Sequence, residues 1–173
     1  MHDLLRFVTE AERYGFKTTM TSNHFHPWWH DGAYGNFVWV WIAAAAEKTK
    51  SMQFVTGVTA PVYRYHPAII AQAFASLDIL NPGRIGLRLG TDESMNEVPL
   101  GFDWPSQKVR LVMVIEAAQI IDKLWHPEIN NYNESNKTED FVYFKGDYFL
   151  IRNAKLYSPP VSHIPIFIAA AGP

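Results

Sequence analysis

The chain has no cysteine, which excludes a disulfide framework and any thiolate chemistry. It has no excess of base: 15 Lys and Arg stand against 17 Asp and Glu, and no basic block marks a surface for nucleic acid. Long apolar runs are missing too. The longest, FVWVWIAAAA at 37–46, has ten residues, about half of the ~20 that a membrane-crossing helix needs. The opening MHDLLRFVTEAERYGF interleaves acidic and apolar residues, unlike the basic and then hydrophobic order of a secretion signal. These absences lead us to expect a cytoplasmic protein with neither nucleic acid nor membrane as partner. Two sequons, at Asn133 and Asn136, then read as polar loop, because glycosylation needs the secretory route.

What is present is a core. At 173 residues and 48% hydrophobic, the chain has the size and composition of one globular domain. Aromatic residues make up 14%, with six Trp. Rings in that number fill a core, and where they gather beside polar residues they can also wall a pocket for a planar ligand.

Periodicity sets out the elements. Leu4, Leu5, Val8 and Ala11 recur at helical spacing over 3–14, and Gly15 is a stop. KTTMTS at 17–22 predicts a strand. FVWVWIAAAAEKTK at 37–50 alternates like a strand at first, but its alanine run and Glu-Lys end favour helix. MQFVTGVTA at 52–60 is a β-branched strand, and 66–80 is a helix with Pro67 in its first turn, closed by NPGR. RIGLRLGTD at 84–92 is a third strand, and 105–125 a long amphipathic helix. FVYFKGDYFLIRNAKLYS predicts a hairpin turning at Lys145, Gly146 and Asp147, and IPIFIAAAG a last buried strand.

Strands alternating with helices predict βαβ units and a parallel sheet, its near-continuous apolar strands covered on both faces. An open doubly wound sheet and a (β/α)₈ barrel both fit. A complete barrel takes about 250 residues, and this sequence opens in a helix, so a fragment is expected. The fold class is α/β, a partial (β/α)₈ TIM barrel of about strands 2–5. We read 1–173 as one domain with a β-hairpin insertion at about 140–157.

In either architecture the working groups lie beyond the C-terminal ends of the strands. Those ends carry Asn23, His24, His26 and Trp28; Gly57, Thr59 and Ala60; Thr91, Asp92, Glu93 and Asn96; and Ala170, Ala171 and Gly172. His24 and His26 would face one side if the strand continued, as metal-binding His-x-His pairs do. No third histidine follows at the other ends, so a metal-dependent barrel hydrolase stands only as an alternative. GTDESMNE resembles a helix cap, a role expected of Glu97. Glu93 directly follows a buried strand, where desolvation would suit a carboxylate to acid or base work. Gly90 would let backbone approach a ligand. His30, His66, His126 and His163 are expected in loops and caps, and Phe37, Trp39, Trp41, Ile69, Ile70, Phe74, Val112, Ile115 and Ile120 in packing.

SNHFHPWWHDGA, VTAPVYRYHPAIIAQAFASLDILNPGRIGL, LGTDESMNEVPLG, FKGDYFLIRNAKLY and IPIFIAAAGP together resemble the deazaflavin (coenzyme F420)-dependent oxidoreductases of the bacterial-luciferase-like superfamily. The likeness is strongest to the glucose-6-phosphate dehydrogenase and secondary-alcohol dehydrogenase branch. It implies a barrel in which a hydride passes from the CH–OH group of an alcohol or sugar phosphate to coenzyme F420, in a homodimer. By that resemblance His24 handles the proton of the substrate hydroxyl, Glu93 a proton on the ring-nitrogen side, and Trp28 walls the pocket. Asn23, Gly57, Val58, Ala60, Thr91, Asp92, Asn96, Ala171 and Gly172 would meet the cofactor, and the Gly57–Val58 peptide would be cis.

The sequence departs from the family in four places: Asn23 stands for an aspartate, Ala60 for a threonine, Asp92 for a glycine, and Ala171-Gly172 for a glycine pair. By the same resemblance, the family's first strand, with its acidic residue, and its strands six to eight, with their phosphate-gripping cations, are expected to be missing from this sequence. A flavin mononucleotide (FMN)-dependent monooxygenase of the same superfamily and an inactive fragment are the further alternatives.

Overall fold

The computed structural model describes residues 1–91, 93–127 and 141–170. Helix α1 (His2–Arg13) comes first and ends as its spacing predicts, with Gly15 at a φ of 91° that a residue with a Cβ rarely adopts. Strand β1 (Thr18–Thr21), helix α2 (Val38–Lys48), strand β2 (Gln53–Thr56), helix α3 (Pro67–Leu80) and strand β3 (Ile85–Leu89) then alternate. A short helix α4 (Ser94–Glu97), a 3₁₀ turn at Val98–Leu100 and the long helix α5 (Gln107–Trp125) follow β3. Strands β4 (Val142–Lys145) and β5 (Leu150–Ala154) form an antiparallel hairpin ahead of β6 (Ile166–Ile168).

The sheet runs β1-β2-β3-β6, all parallel, which is the partial (β/α)₈ arrangement that the alternation of elements predicts. Its register pairs Met20 with Val55, Val55 with Gly86, and Arg88 with Phe167. These side chains share one face. On the other face Phe54, Leu87 and Leu89 are fully buried. Against it lie the apolar stripes of α2 (Ile42, Ala45, Ala46), α3 (Ile70, Ala71, Phe74, Ala75) and α5 (Ala117, Ile120, Ile121), spaced as helices packed on a sheet require. Trp125 joins two of them by donating its indole N–H to the carbonyl of Ala71 at 3.0 Å.

Burial on both faces, expected for parallel strands, is not observed among the described residues. Met20 is 60% and Phe167 46% exposed. With a helix layer on one side only, the concave face of the arc stays open. The hairpin turn also lies further along than expected. Lys145 still pairs with Leu150, and Gly146 closes the turn by donating to the carbonyl of Phe149.

Packing follows the expectation for Trp39, Trp41, Ile70, Phe74 and Ile120, all buried. It fails for Ile69 and Ile115, each about half exposed, because the neighbours Ile70 and Val114 take the inward positions of their helices. Phe37 is half exposed too, although its ring still meets Trp39 and Tyr65. No helix among the described residues is long and apolar enough to cross a membrane.

Candidate active site

Beyond Thr21 the strand gives way to a loop, and the first loop residue to be fixed is Asn23, which is buried. Its amide donates to the Thr59 hydroxyl at 3.2 Å and accepts from the Tyr65 hydroxyl at 3.3 Å. Its carbonyl accepts from the Arg64 guanidinium at 2.7 Å. An amide supplies both a donor and an acceptor, whereas a carboxylate could only accept, so asparagine suits this setting. Tyr65 in turn packs on Trp39 with ring centroids 4.6 Å apart, which ties the loop to α2.

His24 therefore leaves the sheet from a fixed base. Its half-buried ring stands edge-on to Trp28 with centroids 5.0 Å apart, and its Nδ1 lies 3.3 Å from the Asn96 amide nitrogen. Trp28 donates its indole N–H to the Glu93 carboxylate at 2.8 Å. Imidazole, indole and carboxylate thus form one contiguous row, drawn from the loop after β1 and the segment after β3. Ser22, His24, Pro27, Trp28, Tyr34 and Asn36 line a cavity of about 220 Å³ beside it. Trp28 is 69% exposed and so offers a free aromatic face.

The expected site residues differ in their burial. Glu93 is exposed, so the desolvation expected from its place after a buried strand does not occur; the chain turns outward at the strand end. Asn96 is fully buried, and its carbonyl oxygen accepts from the backbone N–H of Phe25 at 2.7 Å. Ala60 is buried within the core. Thr91 is half-buried. The peptide bond between Gly57 and Val58 is cis, and Gly90 lies against the Val58 side chain, where an added Cβ would come within 2.7 Å of it. Gly90 thus makes room for Val58, a protein neighbour. Asp92, Ala171 and Gly172 lie outside the described residues, as do the sequons at Asn133 and Asn136.

Glu97 does not cap a helix. It is fully buried, and its carboxylate accepts the backbone N–H of Arg64 at 2.9 Å, joining the segment after β3 to the loop after β2. His24 and His26 part company, because the strand ends at Thr21 and its two-residue alternation does not reach them. His26 packs on Phe25 and His30. Among the described residues, no group of three His, Cys, Asp or Glu gathers as a metal site. His66 caps α3, accepting from the N–H of Ala68 at 3.2 Å, and burial lowers its pKa.

Sequence reasoning missed Arg64, Tyr65 and Tyr34. The first two stand in VYRYHP, a few residues past the second strand end, where an arginine flanked by tyrosines was the available signal. As built, the row joins a proton-bearing imidazole and a carboxylate through an aromatic wall, beside a cavity of small-molecule size.

The whole chain, residues 1–173, matches the family model described as luciferase-like monooxygenase. It is 39% identical over 172 residues to a protein of Amycolatopsis mediterranei named F420-dependent glucose-6-phosphate dehydrogenase. A protein of the same name from Gordonia bronchialis is 39% identical over 173 residues. Each match takes in 99% of this chain and 48% of the relative, so the chain spans about half the length of the curated relatives it matches. Among solved structures, an F420-dependent secondary alcohol dehydrogenase in complex with an F420–acetone adduct superposes with a TM-score of 0.85 at 41% identity. That match covers 96% of this chain and 47% of the other. The F420-dependent tetrahydromethanopterin reductase of Methanopyrus kandleri shares the fold, at 18% identity and a TM-score of 0.76 over 99% of this chain and 47% of its own.

Proposed function

The chain belongs to the luciferase-like monooxygenase family, and from that premise we propose that it serves a coenzyme F420-dependent dehydrogenase. In this reading a hydride passes from the CH–OH carbon of an alcohol or a sugar phosphate to the coenzyme. One observation carries the proposal: His24, Trp28 and Glu93 converge beside a cavity of about 220 Å³ in a chain 41% identical to an F420-dependent secondary alcohol dehydrogenase.

The residues present fit such a coenzyme. A flat ring system needs an exposed aromatic face, which Trp28 has, and polar groups at its edge, which the exposed Glu93 carboxylate and the half-buried Thr91 supply. Trp28, Glu93, Thr91 and the backbone at Gly57–Val58 would hold it. When bound, coenzyme F420 supplies the hydride acceptor. The chain's own groups do the rest. His24 meets the oxygen of the substrate, Trp28 excludes water from one side, and Glu93, oriented by the indole N–H, can hold or release a proton at its carboxylate. The cavity is smaller than the roughly 300–1,000 Å³ of drug-sized sites, which suits a small alcohol or one sugar unit. A homodimer and residence in the cytoplasm belong to the same reading, from the resemblance and from the lack of cysteine.

The test is anaerobic incubation of the chain with coenzyme F420 and either propan-2-ol or glucose 6-phosphate, followed by the absorbance of the oxidised coenzyme. Bleaching with one of the two alcohols supports the proposal and names the substrate class. An unchanged spectrum with both, together with tight binding of FMN, would put a flavin-dependent monooxygenase in its place.

A further inference from the structure

We infer that Asn96 fixes the tautomer of His24, with Nδ1 as the acceptor and the hydrogen on Nε2, so that His24 faces its ligand as a hydrogen-bond donor. The argument starts from a backbone group. The N–H of Phe25 can only donate, and it meets the Asn96 side chain at 2.7 Å. The amide atom facing it must therefore be the oxygen, which removes the two-fold ambiguity of an asparagine amide. The NH₂ end is then the atom 3.3 Å from Nδ1 of His24. An NH₂ group has no acceptor capacity, so Nδ1 must accept, and a neutral imidazole that accepts at Nδ1 carries its hydrogen on Nε2. Protonation of Nδ1 would set two donors against each other.

Asn96 can impose this because it cannot turn away. It is fully buried within α4, and it grips the backbone of Phe25, next in sequence to His24. Ring and amide therefore hold one relative position. The nitrogen left for a ligand is Nε2, on a half-buried ring that lines the cavity with Trp28 and Tyr34.

The inference rests on the functional reading above for its consequence. A donor at Nε2 holds a carbonyl or alkoxide oxygen and stabilises negative charge developing there; because it cannot also accept the proton of a hydroxyl, the proton released as an alcohol is oxidised passes to another base, the role left to the Glu93 carboxylate of the same row. Asn96 is thus a positioning residue acting through His24, and the ligand group recognised at this point is an oxygen acceptor.

Long-range proton–nitrogen NMR of the histidine-labelled chain, at a pH where histidine is neutral, reads the tautomer directly and needs neither coenzyme nor substrate. The result therefore stands apart from the outcome of the F420 experiment. His24 is assigned by the signal lost in His24→Gln. We expect pyridine-type Nδ1 and pyrrole-type Nε2. Asn96→Asp, which keeps an oxygen toward Phe25 and turns a second one toward Nδ1, is expected to invert the pattern. A parent spectrum showing Nδ1–H, or an averaged mixture like that of free histidine, overturns the inference. The parent spectrum decides even where the variant fails to fold.

Discussion

Asp78 sits fully buried on α3, and its carboxylate gathers the two segments that flank the strands β3 and β6. It accepts from the backbone N–H groups of Gly83 at 3.2 Å, Val161 at 2.9 Å and Ser162 at 2.8 Å, and from the Ser162 hydroxyl. Replacing it with alanine removes the shared acceptor and orphans three donors, the Val161 and Ser162 N–H groups and the Ser162 hydroxyl, while the Gly83 N–H keeps Ser162 Oγ as a partner at 2.8 Å. Each such loss costs about 1–3 kcal/mol. Val161 is exposed and Ser162 half-buried, so water can substitute in part, the lower end applies and the sum over the three donors is about 3 kcal/mol. For a domain of this length that corresponds to a drop in Tm of roughly 6–12 °C. Asp78→Asn keeps one oxygen acceptor and should lose about half as much. Urea titration followed by tryptophan fluorescence, on the parent and both variants, measures the difference. The reasoning is refuted if Asp78→Ala unfolds within about 0.5 kcal/mol of the parent, the range of an ordinary surface change.

Three further outcomes follow from other contacts. Glu12 accepts backbone N–H groups from Ser51, Lys50 and Met52, and these, led by Ser51, hold its carboxyl down to about 2 from an ordinary 4.5. Its folded pKa is depressed, so its stabilising contribution is complete above about 4.5 and is lost as pH falls toward 2; Glu12→Gln should flatten the stability-against-pH curve in that window and nowhere above it. Gly146 lies where an added Cβ would come within 2.2 Å of the Glu116 carboxylate, which is pinned by the N–H groups of Asp147, Tyr148 and Phe149. Gly146→Ala should therefore cost about 2–3 kcal/mol in chemical denaturation, and an unchanged midpoint would show that the carboxylate can move aside freely. Trp28→Phe keeps an aromatic face but removes the donor to Glu93. It should leave folding within about 0.5 kcal/mol of the parent while weakening coenzyme binding by about 1 kcal/mol, roughly fivefold.

Local signals made most of the scaffold legible. Pro67 and the NPGR stretch delimit α3, Ser106 caps α5 by accepting from Val109, and the β-branched runs fall in β1 and β2. The candidate row was legible because strand ends are where such folds expose groups, and His24, Trp28 and Glu93 stand just beyond two of them. The carboxylate anchors were not. Glu12, Asp78, Glu97 and Glu116 each accept backbone groups more than thirty residues away in sequence, which no local period encodes. A trace existed in retrospect: Asp78 in ASLDIL and Glu116 in VMVIEAAQII interrupt apolar helix faces, and a buried charge needs donors. Exposure of Met20 and Phe167 was illegible for a different reason. An apolar strand reads the same whether both of its faces are covered or only one.

The most direct test of the account is titration of the chain with coenzyme F420, followed by tryptophan fluorescence, with FMN as comparison and Trp28→Phe as control. The account predicts saturable quenching by F420, weaker quenching by FMN, and a right-shifted curve for the control. Equal response to both cofactors, or a control curve that superposes on the parent's, would contradict the assignment of the His24, Trp28 and Glu93 row as the coenzyme site.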